Sequence, residues 1–392
     1  MRNRIQHLRR DERGMTMAFV AMGFMAFLTA TTLAIDVGMY MSARSQAQNA
    51  ADAGALAGAI AIGFNDFNNR NAGGPAVSAA ISAAQANAMI GAAPSVLPAD
   101  VTFPNDPAGK PTRVKVAVYR STERDNEIPT IFGKIFGVDS VNIAATATAE
   151  ASRANAMTCV KPFMIPDKWQ EASGTFNPLT STFEMYDNRG NLLPPGSRDS
   201  YIPANQTGYT GYTEADKGTE LILRAGTGNN IEPTAYQSWS MPGNNGQIGS
   251  DFYRENISGC NRTLVTIDLN NPLYLTQEPG AVTGPTGQGI DDLIAKDPNA
   301  QWDRGCKCVR GSNASISPRV TPLPLYDPKK YAEGKANGRN ADFWLANIMG
   351  FFIDRRVGNQ VYGFIIPISG VINPNAGPAP GGAFPVAIRL VE

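Results

Sequence analysis

Histidine is almost missing from this chain, the only one being His7 near the N-terminus. Beyond that residue there is no imidazole for a Ser-His or Cys-His nucleophile pair, nor for histidine-rich metal sites. The sequence also contains no Gly-x-Ser-x-Gly nucleophile elbow and no Walker-type phosphate loop. Charge is scarce, at 17% of residues, and it balances, with 34 basic against 34 acidic side chains. Setting aside the first 13 residues leaves 29 basic and 32 acidic residues, so no basic field remains to hold nucleic acid. These absences turn attention from chemistry to assembly.

What the chain does have is one long uncharged run. Gly14 to Ile35 reads GMTMAFVAMGFMAFLTATTLAI, 22 residues without a charge, where about 20 apolar residues suffice to cross a bilayer. The run continues as DVGMYMSARSQAQNAADAGALAGAIA, still of helical composition but richer in alanine, glycine and polar groups. A transmembrane helix that extends into water is expected. Arg2, Arg4, Arg9, Arg10 and Arg13 precede it against Asp11 and Glu12, so the N-terminus is expected in the cytoplasm and the rest outside. The alternative is a cleaved secretory signal, but the run exceeds the usual signal length.

The helix carries two rows of small residues. Tyr40, Ala43, Ala47, Ala50, Gly54, Ala57 and Ala61 follow heptad spacing, a seam that permits close backbone approach. Ala26, Ala30, Ala34 and Gly38 repeat at every fourth position inside the apolar run, as tightly packed membrane helices do. Ala47, Ala50, Gly54 and Ala57 are therefore expected to serve helix packing, with Asp52 beside them on an exposed face. The seam has two uses open to it: association with another helix, or packing on the chain's own sheet.

A basic tail with Arg9 and Arg10 ahead of Gly14, an apolar run ending AIDVGMYM, and QNAADAGALAGA from Gln48 to Ala59 together resemble the N-terminal segment of the TadG-like Flp pilus-assembly proteins. A looser similarity extends through CVKPFMIPDKW from Cys159, EPGAVTGPTGQGIDDLIAKDPNAQWD from Glu278 and ADFWLANIMGFFIDRRVGNQVYGFI from Ala341. The resemblance implies a bacterial inner-membrane protein, single-pass and periplasmic beyond the span, whose partners are membrane lipid, other Tad/Flp pilus-assembly proteins or pilin-like subunits, and a second copy of itself. Two departures limit it. Related pseudopilins carry a glutamate five residues after a cleaved glycine, whereas Gly14 is followed by Met15, Thr16, Met17, Ala18 and Phe19. Some larger TadG proteins carry an Asp-x-Ser-x-Ser metal-adhesion motif, and no Asp-x-Ser triplet occurs here.

After the anchor about 355 residues remain, enough for roughly two or three domains. With 39 glycines, 28 prolines and 43% hydrophobic residues, a loop-rich but folded β architecture is expected. NDFNNRNAGGP from Asn65 should end the long helix. Ala76–Ile90 reads as a helix, Val101 and its neighbours and RVKVAVYRS from Arg113 as strands, Ile128–Phe136 as helical, and Asp139–Ala151 as a strand. The fold class expected is α+β: a transmembrane helix continuing into a long pilin-like helix on a small antiparallel sheet, followed by a β-rich extracytoplasmic domain. The boundaries are 1–13 for the tail, 14–35 for the span, 36–64 for its continuation, 65–154 for a small α+β domain and 155–392 for the β-rich domain. Within the last, ELILRAG from Glu220, TLVTIDL from Thr263 and VYGFIIPISG from Val361 have strand composition. Gly289–Ala295 and Ala341–Phe352 read as helices, and GPTGQG as a surface turn.

Cys159, Cys260, Cys306 and Cys308 all fall on the side expected to be oxidising. Closing Cys306 on Cys308 looks strained, so Cys159 and Cys260 are each expected to take one member of the Cys-x-Cys pair. A four-thiolate zinc site is the rival. Asp187 in YDNRGN is expected to shape a turn and Asp291 and Asp292 to stabilise a helix start; a carboxylate-only cell-wall glycan hydrolase would instead need such residues to converge. No catalytic, cofactor or metal-binding residue is expected. The reading is a non-enzymatic, membrane-anchored pilus-assembly component, with a processed minor pilin-like subunit as the alternative.

Overall fold

The computed structural model describes residues 12–65, 69–107, 109–226, 230–241, 249–278, 282–337 and 343–391. His7 and the arginines of the tail before Glu12 lie outside these, as do most of the loop after Met241 and the EPG turn after Glu278. The fold is α+β, and the chain divides into two compact units, one running up to Ala151 and regaining the chain at Ile388, the other Ser152–Ala387.

The first unit is built on α1 (Glu12–Phe64), 53 residues in one helix, about 80 Å long at 1.5 Å per residue. No proline interrupts it. Its outer half packs on α2 (Pro75–Gln85), which starts on proline and buries Ala76, Val77, Ala80 and Ala84. Beneath lies a four-stranded sheet of β1 (Val101–Thr102), β2 (Arg113–Arg120), β5 (Ile143–Arg153) and the C-terminal strand Val386–Leu390. β2 alternates as its sequence demands, and Val114, Val116 and Val118 are fully buried opposite Ala149, Ala147 and Ala145 of β5. Between them β3 (Ile128–Pro129) and β4 (Ser140–Val141) form a short hairpin. The helix expected over Ile128–Phe136 is therefore a strand followed by a 3₁₀ turn, Gly133–Phe136. Asn126, at the foot of the hairpin, takes the Ser121 N–H on its side-chain oxygen and donates to Tyr119 O, so side-chain bonds hold the chain out of a helix there.

The second unit is β-rich. In chain order it runs β6 (Ala156–Met157), β7 (Phe163–Pro166), β8 (Glu220–Ala225), β9 (Ala235–Ser238), α3 (Ser250–Ser258), β10 (Val265–Thr266), α4 (Thr283–Ala295), β11 (Gln301–Asp303), β12 (Cys308–Arg310), β13 (Val320–Tyr326), α5 (Pro328–Ala336), β14 (Leu345–Val357) and β15 (Gln360–Ile366). Six strands close into a barrel in the order β13-β14-β15-β8-β9-β7. Its pairings are antiparallel except β7 with β13 and β8 with β9. Two expectations fail here. Ala341–Phe352 is not a helix: from Leu345 it is strand β14, with Leu345 to Ile353 buried without a break. The reason is that both faces are covered. Ile348 and Phe351 belong to the main core, while Phe352 lies in a small cluster under the β11–β12 hairpin, with Trp302 packed on it. GPTGQG is not a turn but the start of α4. Gly289 lets that helix approach α3, since a Cβ there would sit 2.8 Å from Ile257 Cβ and 3.0 Å from Arg254 O.

Candidate membrane anchor and helix-packing surface

α1 has two halves with opposite surroundings. From Met15 to Ile35 its large apolar side chains stand exposed on every side, Met17, Met25 and Phe27 among them. It is the single described helix long and apolar enough to cross a membrane. Hydroxyls within the run are satisfied inside the helix: Thr29 donates to Met25 O and Thr31 to Phe27 O, each at 2.8 Å, and Thr32 to Thr29 O at 2.9 Å. This is what a helix in hydrocarbon requires, because lipid offers no partner for a polar group.

Past Asp36 the pattern reverses. Ala43, Ala47 and Ala50 have no exposed surface, nor have Ala51, Ala55 and Ala59. At Gly54 and Gly58 the backbone of α1 comes close to its neighbours. A Cβ on Gly54 would lie 3.0 Å from both Ala80 O and Ala84 Cβ and 3.2 Å from Val116 Cγ1, and one on Gly58 only 2.8 Å from Val114 Cγ1. Of the outer residues singled out in the sequence, Ala47 and Ala50 are thus buried within the chain, and Gly54 packs on α2 and β2. Ala57 is half-buried. Asp52 is half-buried too, and its carboxylate accepts from Gln48 Nε2 one helical turn earlier at 2.8 Å. Ala26, Ala30, Ala34 and Gly38 are all exposed, and nothing lies within 4 Å of a Cβ built on Gly38.

The junction between the halves is Asp36, which sequence reasoning passed over as the end of the span. It is 4% exposed. Its carboxylate accepts the backbone N–H of Ile131 at 3.0 Å, of Phe132 at 3.1 Å and of Gly133 at 2.7 Å. Three N–H bonds to one carboxylate fix the β3–β4 loop to the helix at the first charged position after the apolar run. The only signal available beforehand was that a charge ended the run.

The cysteines pair differently from expectation. Cys159 bonds Cys260, and Cys306 bonds Cys308. The first pairing follows from β6 pairing antiparallel with β10, Met157 opposite Val265, and from the Cys159 N–H donating to Asn261 O at 2.7 Å. The second is permitted because Lys307 adopts a left-handed φ of 49°, folding the Cys306 and Cys308 Cα atoms to 5.2 Å. All four sulfurs are used in disulfides.

Carboxylates singled out in the sequence do not converge. Asp187 shapes a turn, accepting the N–H groups of Arg189 and Asn191, each at 2.8 Å; these bonds, those from Asn191 foremost, hold its carboxyl below the usual range. Asp291 and Asp292 sit in the last turns of α4 rather than at its start, which corrects the helix-start role. They pair with different arginines, Asp291 Oδ1 with Arg356 Nε at 2.8 Å and Asp292 Oδ2 with Arg254 Nε at 2.7 Å. The Arg254 pairing holds Asp292 below its ordinary value. Among the described residues no three His, Cys, Asp or Glu side chains converge as metal ligands.

The second unit has a buried polar centre that the sequence did not mark. Asp167 Oδ2 accepts the hydroxyls of Tyr209 at 2.7 Å and Tyr201 at 2.8 Å, and Oδ1 accepts the N–H of Lys168 at 2.9 Å and of Tyr212 at 3.0 Å. Asn347 of β14 donates to Tyr209 Oη at 2.8 Å and to Gly382 O at 3.0 Å. Burial pushes the Asp167 carboxyl up to about 6, with Tyr209, Tyr212 and Tyr201 pulling against it. Burial also takes Lys161 down to about 7, aided by Lys296, although its ammonium donates to Ile257 O and Gly259 O at the end of α3. Each group is enclosed by its own hydrogen bonds, and both serve to join elements far apart in the chain.

An exposed apolar half-helix, followed by a half that buries a face on its own sheet, makes α1 the one candidate membrane anchor among the described residues. Residues 14–61 match the family model for Flp pilus-assembly TadE/G-like proteins. The matched stretch is α1 almost end to end, so the chain carries a TadE/G-like segment. No curated protein and no solved structure matches the chain.

Proposed function

We propose that this protein is a non-enzymatic, single-pass component of a Tad/Flp pilus-assembly apparatus, with its N-terminus in the cytoplasm and both compact units on the periplasmic side of the inner membrane. The observation that carries this reading is α1 itself: a TadE/G-like match over 14–61 on a helix whose first half is bare and apolar and whose second half buries an alanine and glycine face. The basic residues before Gly14 support the orientation, and two disulfides support an oxidising compartment.

Its work is association, and the exposed row Ala26, Ala30, Ala34 and Gly38 is the surface for it, since Ala43, Ala47, Ala50 and Gly54 of the outer seam are buried within the chain. Small residues there admit a pilin-like helix or a second copy at close range. A groove of about 650 Å³ lined by Met41, Arg44, Ser45, Gln48 and Ala144 to Thr146 continues beside the helix, giving such a partner a path beyond the lipid. Replacing Ala30 and Ala34 together by leucine should abolish in-membrane cross-linking to a partner while leaving the folded units unchanged by circular dichroism; undiminished cross-linking would contradict the role. A long helix on a small antiparallel sheet also suits a pilin-like subunit. A chain beginning at Met15 and recovered in sheared filaments would establish that reading instead.

A further inference from the structure

The loop held by Asp36 is the tip of the β3–β4 hairpin, residues 130–139. It is firmly built. Thr130 donates its N–H to Asp139 O at 3.0 Å and its hydroxyl to Val138 O at 2.6 Å, and the Val138 N–H returns to Gly133 O at 3.0 Å. A Cβ on Gly133 would come within 2.9 Å of Thr130 Cβ and Val138 O, so the turn closes only around a glycine. Yet this ordered tip presents Ile131, Ile135, Phe136 and Val138 to the outside, with Ile135 74% and Phe136 58% exposed. Four large apolar side chains fixed outward within eight residues form a patch that water does not favour. Lys134 stands exposed among them.

The position of the patch says what covers it. Its backbone is bonded directly to Asp36, one residue beyond Ile35, where the uncharged run ends. One turn further in, Thr32 is the single half-buried residue between Met15 and Ile35, so burial by the folded unit begins at the very end of the apolar half. A surface joined to the span at that level lies at the hydrocarbon boundary. We propose that the hairpin tip is a second membrane contact, made by the folded unit itself: Ile131, Ile135, Phe136 and Val138 enter the headgroup–acyl boundary of the leaflet into which α1 emerges, with the Lys134 ammonium reaching its phosphates. The occupant is lipid, because the patch is continuous with the spanning surface. Two points of attachment then fix the rotation of the first unit about the axis of α1, which a single helix would leave free.

The inference rests on α1 being a membrane anchor, and its test separates the two. The full chain, whose own cysteines are all in disulfides, is labelled with an environment-sensitive fluorophore at one of three substitutions, Ile135→Cys, Met25→Cys or Ala72→Cys. Each is reconstituted in vesicles of phosphatidylethanolamine and phosphatidylglycerol carrying nitroxide lipid, shallow or deep in the acyl chain. Ala72 is exposed beyond the far end of α1. For a side chain entering roughly 5–10 Å, the shallow nitroxide should remove about half the emission at position 135 and none at 72, while the deep nitroxide quenches position 25. A label at 135 as unquenched as that at 72, with 25 still quenched, would overturn the hairpin contact and leave the anchor standing. Loss of quenching at 25 as well would overturn the anchor. Emission at 135 that follows the protein-to-lipid ratio rather than the nitroxide would mean that a second copy covers the tip, and would also overturn the proposal.

Discussion

The two compact units are built from opposite ends of the size scale. Among the described residues no aromatic side chain is buried in the core of the first, where α1 and α2 meet through alanine and glycine over valines. The second buries Trp169, Trp239, Tyr212, Phe163, Tyr326, Phe343 and Phe351. Small side chains bring backbones together, so stability there depends on nothing being added. Large ones fill a closed barrel whose strands come from distant parts of the chain, so stability there depends on nothing being lost. The first unit is thereby suited to hold a long helix close against its own sheet, and the second to hold a closed, rigid barrel.

Reciprocal substitutions should expose the contrast most sharply. Phe351→Ala, at a fully buried site in β14, should cost about 3–5 kcal/mol through the cavity it leaves. Gly58→Leu, where even a Cβ meets Val114 Cγ1 at 2.8 Å, should cost about 1–3 kcal/mol or more by overpacking. Hydrogen exchange should report each loss in its own unit, peptides of β14 and β15 for the first and of α2 and β2 for the second. Equal loosening of both units by either change would break the comparison.

The disulfides sharpen it next. Cys159–Cys260 ties residues 101 apart, whereas Cys306–Cys308 spans two. Loop-closure entropy assigns about 4–5 kcal/mol to the long closure and about 1.6 kcal/mol to the short one. Serine pairs replacing each bridge in turn should lower the denaturant midpoint of the second unit in that order, and the reverse order would refute the account of what each bridge does.

A smaller effect, on pH, follows from Asp167. Its folded value of about 6 lies above the ordinary 3.8, so between these values the folded state holds a proton that the unfolded chain has released. Stability should therefore fall as pH rises through that window, by up to about 3 kcal/mol, and stay level with respect to this group above it. Urea titrations of the wild type and Asp167→Asn across the window should differ in slope; parallel curves would show that the carboxyl does not titrate as its burial dictates.

Much of the first unit was legible because its elements are periodic. The uncharged run gave the exposed half of α1, and alternating valines gave β2. The small-residue seam announced close packing but could not say against what, since a glycine row reads the same whether the neighbour is α2 or another chain. The second unit was legible only in pieces. Val361 to Ile366 looks like a strand and is one, but Leu345 to Ile353 is apolar throughout and carries no period by which a doubly covered strand differs from a buried helix. Polar helices such as α3 and α5 lack an apolar stripe long enough to notice. The disulfide pairing and the Asp167 centre depend on which strands meet, which local sequence does not encode. Asp36 was visible as a charge, but its three N–H partners lie about a hundred residues away.

The central claim is that α1 is one helix in two environments, lipid first and then its own sheet outside the membrane. Protease treatment of spheroplasts of the native host, followed by alkaline extraction of the membranes and intact mass, tests it most directly. The account expects the full-length chain to stay with the extracted membranes and protease added from outside to leave only a short N-terminal fragment containing the span. A chain released by alkali, or one that outside protease cannot reach until the membrane is opened, would contradict it.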